Sequence, residues 1–495
     1  DGTSSALAVN TDLTLTGANT YTGATTIASG KVLEVGGSGQ LGSGSYSGAI
    51  TNAGTLKFNS SASQTLSGAI SSTGSLVKSG VGTLTLTAGN TYAGTTTING
   101  GTLQVGNGGS TGTLGAGAIT VNSGGTLQYN LNSSTTLSLP TSSSLSGAGN
   151  LSATAGIIQI NGSLTLGGSQ SLVQNGTNSG ASYGYGIQLV AADSTLTGSS
   201  FTLTGDVGRR DGDGGSLTLD SSATNGTINL NISLGRSGVW YIPVSFAANA
   251  GTGTINVTGT GYNSSGWRST PVTLTGAMNI TGNVNSGAAV TLNASANGTV
   301  SGILSGGMSL TKGGNAKLTL SNVNTFTGAV NVNAGTLEIA AATASNASGL
   351  GGGANTINIA SGATLLFSTN NRTAGYHYGA VNVNGGFITF NTTDNSFAAG
   401  NTLTFGTSAG TINGTGQWRF RASGSVNVLA AATGSTIDVA ELDLYDGTQT
   451  FTVAANSTLT LGSKLTRVGG GLLAKSGLGT LALTSTCLLY TSDAA

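Results

Sequence analysis

One stretch of this sequence is written several times over, and no other feature constrains the fold as much. Gly74–Gly106 reads GSLVKSGVGTLTLTAGNTYAGTTTINGGTLQVG. A partial copy occupies Leu13–Gly36, another spans Gly307–Ala340, and a fourth begins at Gly471 as GLLAKSGLGTLALT and breaks off. Tyr21, Tyr92 and Phe326 fall at the same place in their copies, as do Lys78, Lys312 and Lys475. Repeats of this size fold as coils that stack on their neighbours.

The tripeptide Gly-Thr-Leu recurs at 54, 82, 101, 125, 335 and 479 among other places, and Gly-Thr-Ile at 226, 253 and 410. The members at 54, 82, 101 and 125 are 28, 19 and 24 residues apart, which reads as one coil per step. Each Gly permits a turn, each Leu or Ile points inward, and the Thr between apolar neighbours points outward, because side chains alternate along a strand. No stretch carries the 3.6-residue apolar period of a helix. The expected fold is all-β, a right-handed parallel β-helix. With coils of about 22 residues stacked about 4.8 Å apart, it would form a rod of roughly 100 Å.

Composition agrees. Charged residues make up 6% of the 495, with 15 basic and 15 acidic side chains that balance, against about a quarter in ordinary domains. Disorder needs high net charge and low hydrophobicity, and this chain is neutral and 37% hydrophobic. Without a basic footprint it is not a nucleic-acid binder. No apolar run reaches the roughly 20 residues of a spanning helix. A single Cys excludes an internal disulfide framework. The chain opens on Asp1-Gly2-Thr3-Ser4 without a signal peptide, which reads as a mature or truncated chain.

The pattern Leu76-x-Lys78-x-Gly80-x-Gly82-Thr83-Leu84-x-Leu86, followed by Asn90-Thr91-Tyr92-x-Gly94 and Gly101-Thr102-Leu103, resembles the autotransporter-associated β-strand repeat, also called the passenger-associated transport repeat. Lys312, Phe326 and Gly328 carry the resemblance in the third copy and Lys475 in the fourth. The resemblance implies a passenger exposed on a bacterial surface or released from it, a non-enzymatic rod-like scaffold or adhesin. It would cross the outer membrane with a C-terminal β-barrel translocator, a type V secretion route. No terminal series of strands with aromatic girdles is present here, so the translocator is missing from this chain. Further partners would be a glycan, a host molecule or a second copy of the chain, and no cofactor is expected. Two other readings stay open: a β-helix polysaccharide lyase or glycoside hydrolase, and an anchored extracellular or surface-layer scaffold.

The repeats divide the chain into 1–135 and 306–486, solenoid with passenger-type repeats, and 136–305, degenerate coils with loop insertions. Trp240, Tyr241, Tyr262 and Trp267 make that middle segment the candidate ligand surface. From Cys487 the repeat gives way to an unrelated tail, 487–495, expected to be non-native. No capping sequence marks either end, where open strand edges would pair with other chains, so a fragment is expected.

Candidate chemistry is thin. Gly-x-Ser-x-Gly occurs around Ser110, Ser182 and Ser408, but in a chain with 85 Gly such matches arise by chance. A nucleophile elbow also needs a strand-to-helix turn and a His. His377, beside Tyr376, Tyr378 and Arg372, has no ligand cluster near it in sequence and reads as a surface turn. Asp211 and Asp213 follow Arg209 and Arg210, a self-neutralising loop without calcium-loop spacing. Glu441 and Asp443 share one face of a strand about 7 Å apart, in the range of glycosidase carboxylate pairs. Arg419 and Arg421 lie 22 residues before them. Ion pairs of Arg419 over Glu441 and Arg421 over Asp443 are therefore expected, each contributing roughly 0–1 kcal/mol at a surface. No catalytic, cofactor or metal residue is assigned.

Overall fold

The computed structural model describes residues 4–141, 143–175, 186–191, 193–209, 215–234, 245–259, 271–341, 349–351, 355–369, 379–392, 395–397, 402–420, 424–430, 432–445, 447–466 and 471–485. The chain divides into two compact units, Asp1–Asn249 with Gly261–Ser264, and Ala250–Thr260 with Ser265–Ala495. Each is a β-solenoid of short parallel strands with coils of about 23 residues. Among the described residues the one helical element is a 3-10 turn at Gly42–Gly44, and no helix is long and apolar enough to cross a membrane.

In the first unit, alternation builds the interior rung by rung. Strand Thr83–Leu86 pairs with Gly101–Gly109, and that with Gly125–Leu131 and then Asn150–Ala155, so Leu84, Leu103, Leu127 and Leu151 form one inward ladder. None is more than 1% exposed. Full burial of such a side chain stabilises by about 1.5–3 kcal/mol. A second ladder, Leu33, Leu56 and Leu76, runs through Val32–Gly37, Thr55–Ser60 and Ser75–Lys78. The spacing of the Gly-Thr-Leu motifs is corrected here. The steps from Thr83 to Thr102 and Thr126 are single coils, but the 28-residue step from position 54 is not. Thr55 lies opposite Ser75, whereas Leu84 lies opposite Gln64, so the motifs at 54 and 82 belong to different sheets.

In the second unit the ladder Leu318, Leu337, Leu365, Ile388, Ile412 and Ile437 runs through six strands. Coils differ in length: Leu318 faces Leu337, 19 positions on, and Leu337 faces Leu365, 28 on. Across these two steps the paired strands stay in register, and the difference lies in the connections between them. Toward the chain's end the interior turns aromatic, with Phe367 on Phe390 at 5.1 Å, Phe390 on Trp418 at 5.9 Å and Trp418 against Phe420 at 4.4 Å between ring centres.

Candidate functional site

The residues that define the repeat fasten one coil to the next. Asn90 begins the bend after Thr83–Leu86 and is buried. Its Oδ1 accepts from the Ile70 N–H at 2.8 Å, in the coil before, and its Nδ2 donates to the Thr113 carbonyl at 2.7 Å, in the coil after. Asn324 repeats the arrangement: its Oδ1 accepts from the Leu304 N–H at 2.8 Å, and its Nδ2 donates to the Gly349 carbonyl at 2.6 Å. Each Nδ2 also donates within its own coil, to the Ala88 or Asn322 carbonyl, so one amide side chain completes backbone groups on three successive coils. An amide suits the task because it offers a donor and an acceptor side by side.

Two positions further on, the aromatic ring fills the corner. Tyr92 is fully buried, and its hydroxyl bonds the Thr96 hydroxyl at 2.6 Å. Tyr21 does the same with Thr25 at 3.0 Å, and burial pushes its phenol up to about 12. In the third copy both hydroxyls are gone together, since Phe326 stands for the tyrosine and Val330 for the threonine. Gly94 and Gly328 follow. A Cβ on Gly94 would overlap the Gly74 carbonyl oxygen, and one on Gly328 the Met308 carbonyl oxygen, each in the preceding coil. Close stacking at this corner therefore requires glycine.

Lys78 and Lys312 occupy inward rungs at 2% and 0% exposure. Lys78 sits between Phe58 and Ile98, and Lys312 between Leu292 and Val332. Lys78 Nζ donates to the carbonyls of Gly80 and Gly100. Lys312 Nζ donates to Gly313, Gly314 and Ala334 at 2.9, 2.8 and 2.9 Å. Burial pushes both amines down to about 8, which leaves them mostly charged at neutral pH. Lys475, in the last coil of the described residues, is exposed and donates to Gly477 at 2.5 Å.

The expected charge register is also corrected. Arg419 lies opposite Asp443, not Glu441, and Gln417 lies opposite Glu441. The coil is longer than the expected 22: the offset is 25 positions up to Gly414 and falls to 24 from Gln417, past a bulge in which the strand Thr411–Phe420 carries an extra residue. Arg419 Nε meets Asp443 Oδ2 at 2.8 Å, and the guanidinium lies 5.0 Å from the centre of the Tyr445 ring. Asp443, expected at the surface, is fully buried. Glu441 Oε1 accepts from Gln417 at 2.9 Å and Thr466 at 2.7 Å. Arg421 lies outside the described residues, and the place opposite Asp443 expected for it is taken by Arg419. Sequence reasoning missed two further cross-coil pairs, Lys57 with Glu34 at 3.1 Å and Lys317 with Glu338 at 2.6 Å. Opposite charges about one coil apart were the available signal.

The outward face of the second unit carries a charge-free column. Thr311, Asn331, Asn358, Asn382, Thr404 and Asn427 succeed one another rung by rung. Asn382 donates to Asn358, and Asn358 to Asn331, each at 2.8 Å. Among the described residues no three His, Cys, Asp or Glu side chains gather as a metal site. Trp240, Tyr241, Tyr262, Trp267, His377, Asp211, Asp213 and Ser182 lie outside the described residues. Ser110 ends on an exposed turn and Ser408 in an exposed bend, with no α-helix among the described residues to make an elbow.

These features define a parallel β-solenoid whose recurring corner residues join consecutive coils. The chain carries the passenger-associated-transport-repeat: that family matches residues 12–35, 76–105 and 310–339, the segments that supply Lys78 and Lys312, Asn90 and Asn324, and Tyr92 and Phe326. The matches cover well under half of the chain, and the copy from Gly471 lies outside them. Solenoid and repeat together fit an autotransporter passenger. A search of curated proteins and a search of solved structures each found no match.

Proposed function

We propose that this chain is a passenger segment that acts, on a bacterial surface or after release from it, as a non-enzymatic scaffold or adhesin. The observation that carries this reading is the passenger-associated-transport-repeat at three places on a parallel solenoid. The route implied is transport across the outer membrane with a C-terminal β-barrel translocator. The charge-free column from Thr311 to Asn427 supports the adhesive part of the reading. It offers neutral hydrogen-bonding groups at a fixed spacing, suited to many weak contacts that act together. Asp443 supports the non-enzymatic part, because Arg419 already holds the carboxylate that a two-carboxylate mechanism would need free.

The test is to express the full gene and probe intact cells with an antibody to residues 74–106. Surface labelling removed by external protease is expected, and purified chain on beads should bind cells or other coated beads. An epitope found only in the cytoplasm would overturn the passenger reading. Release of reducing or unsaturated sugar from a polysaccharide panel, abolished by Glu441→Gln, would overturn the non-enzymatic one.

A further inference from the structure

We propose that the interior lysines of two repeat copies, Lys78 and Lys312, are latches between consecutive coils, each ammonium joining the bend of its own coil to a carbonyl at the head of the next. An unpaired charge in an apolar interior is strongly disfavoured, so a buried lysine must find acceptors. At Lys78 and Lys312 the rungs above and below are apolar. Among the described residues the ion pairs are Lys57–Glu34, Lys317–Glu338 and Arg419–Asp443, so no carboxylate there neutralises either lysine. Backbone carbonyls hold the charge alone. Lys312 has three N–H donors and three carbonyls at 2.8–2.9 Å, which saturates the ammonium.

The positions of those acceptors carry the inference. Some belong to the lysine's own bend, Gly80 for Lys78 and Gly313 with Gly314 for Lys312. The remaining one lies 22 residues on in both copies, at Gly100 and at Ala334. Those carbonyls stand just before strands Gly101–Gly109 and Thr336–Ile339, where the next coil begins its run along the neighbouring sheet. Each latch makes the opening of one coil depend on the opening of the next, a two-coil unit within the solenoid.

Hydrogen exchange of the full chain at neutral pH tests this, comparing the native protein with Lys312→Met. Exchange in the own bend, 313–316, and in the head of the following coil, 334–337, should quicken together by roughly tenfold or more, the effect of losing hydrogen bonds to a charged donor. The segment 74–106 serves as the internal reference and should not change. Faster exchange in 313–316 alone would reduce the lysine to a cap of its own bend, and no change in either segment would remove its role altogether. Should Lys312→Met fail to fold, amine acylation of the native chain decides. Lys78 and Lys312 should react at least tenfold more slowly than Lys475, and equal rates would overturn the proposal.

Discussion

Replacing Asn324 by alanine removes hydrogen bonds on both sides of its coil, and the magnitude follows from what is left behind. The Leu304 N–H loses its acceptor at 2.8 Å, and the Gly349 carbonyl loses its donor at 2.6 Å. Asn324 is 2% exposed, so water does not take over at no cost. Leaving a buried polar group unsatisfied costs about 1–3 kcal/mol, so two groups give about 2–6 kcal/mol. Asn358→Ala is the control, since that asparagine lies on the outward column and bonds only side chains. Its loss should stay within about 1 kcal/mol. Because solenoid coils open with their neighbours, the readout is amide exchange at Leu304 alongside the urea midpoint. A 2 kcal/mol loss would quicken exchange there by about thirtyfold. Asn90→Ala should reproduce the effect at Ile70, whose N–H it serves at 2.8 Å. If Asn324→Ala proves no worse than Asn358→Ala, the inter-coil reading of the repeat asparagine is wrong.

Gly94→Ala should destabilise by about 1–3 kcal/mol, the scale of an overpacked contact, whereas Gly89→Ala, with open space at its Cβ, should stabilise by about 0.4–1 kcal/mol; thermal midpoints of the two variants compare them directly. Arg419→Met removes the 2.8 Å partner of a fully buried carboxylate and should cost about 3–5 kcal/mol in urea unfolding, against at most about 1 kcal/mol for Lys57→Met at the part-exposed pair with Glu34. In alkali the folded chain releases the Lys78 and Lys312 protons near pH 8 while an unfolded lysine holds its own to 10.5; stability should therefore rise with pH across that window, and less steeply in the double Lys→Met variant. In acid, hydrogen bonds from Asn59 and Lys57 hold Glu34 below its ordinary 4.5. For Glu338 burial acts upward, but bonds from Lys317, Ser368 and Thr319 outweigh it. The stability both acids supply is present above pH 4.5 and is lost as pH falls further, which a urea titration from pH 5 to pH 3 reads.

Alternation and glycine spacing made the solenoid legible, because both report strand geometry directly. Coil length was less so. Counting between motifs assumes that like motifs stack, yet Gly54-Thr55-Leu56 and Gly82-Thr83-Leu84 lie on different sheets, and the coil after Arg419 is 24 positions long rather than 22, which places Arg419 opposite Asp443. Bends absorb extra residues at little cost, so sequence distance does not measure them. The burial of the lysines escaped for another reason. Lysine is almost never fully buried, and only the carbonyls of Gly80 and Gly100, or of Gly313, Gly314 and Ala334, make its burial tolerable. The paired change from Tyr92 and Thr96 to Phe326 and Val330 was a signal in plain view, since two hydroxyls lost together had been partners.

The leucine ladders and the corner residues answer different needs. Burial of Leu84, Leu103 and Leu127 drives stacking, but a strand that slips by two residues still points its apolar side chains inward. Apolar burial therefore leaves the register of one coil on the next weakly specified. A two-residue slip would carry the Ile70 N–H away from Asn90, the Gly100 carbonyl away from Lys78, and a side chain into the place of Gly94. The corners penalise each such slip by buried polar groups left unpaired or by overlap with the backbone. Since a coil contacts only its neighbours, coils that lack the motif inherit register from those that have it. That is why matches confined to 12–35, 76–105 and 310–339 can discipline solenoid whose intervening coils share little but the alternation of apolar and polar residues.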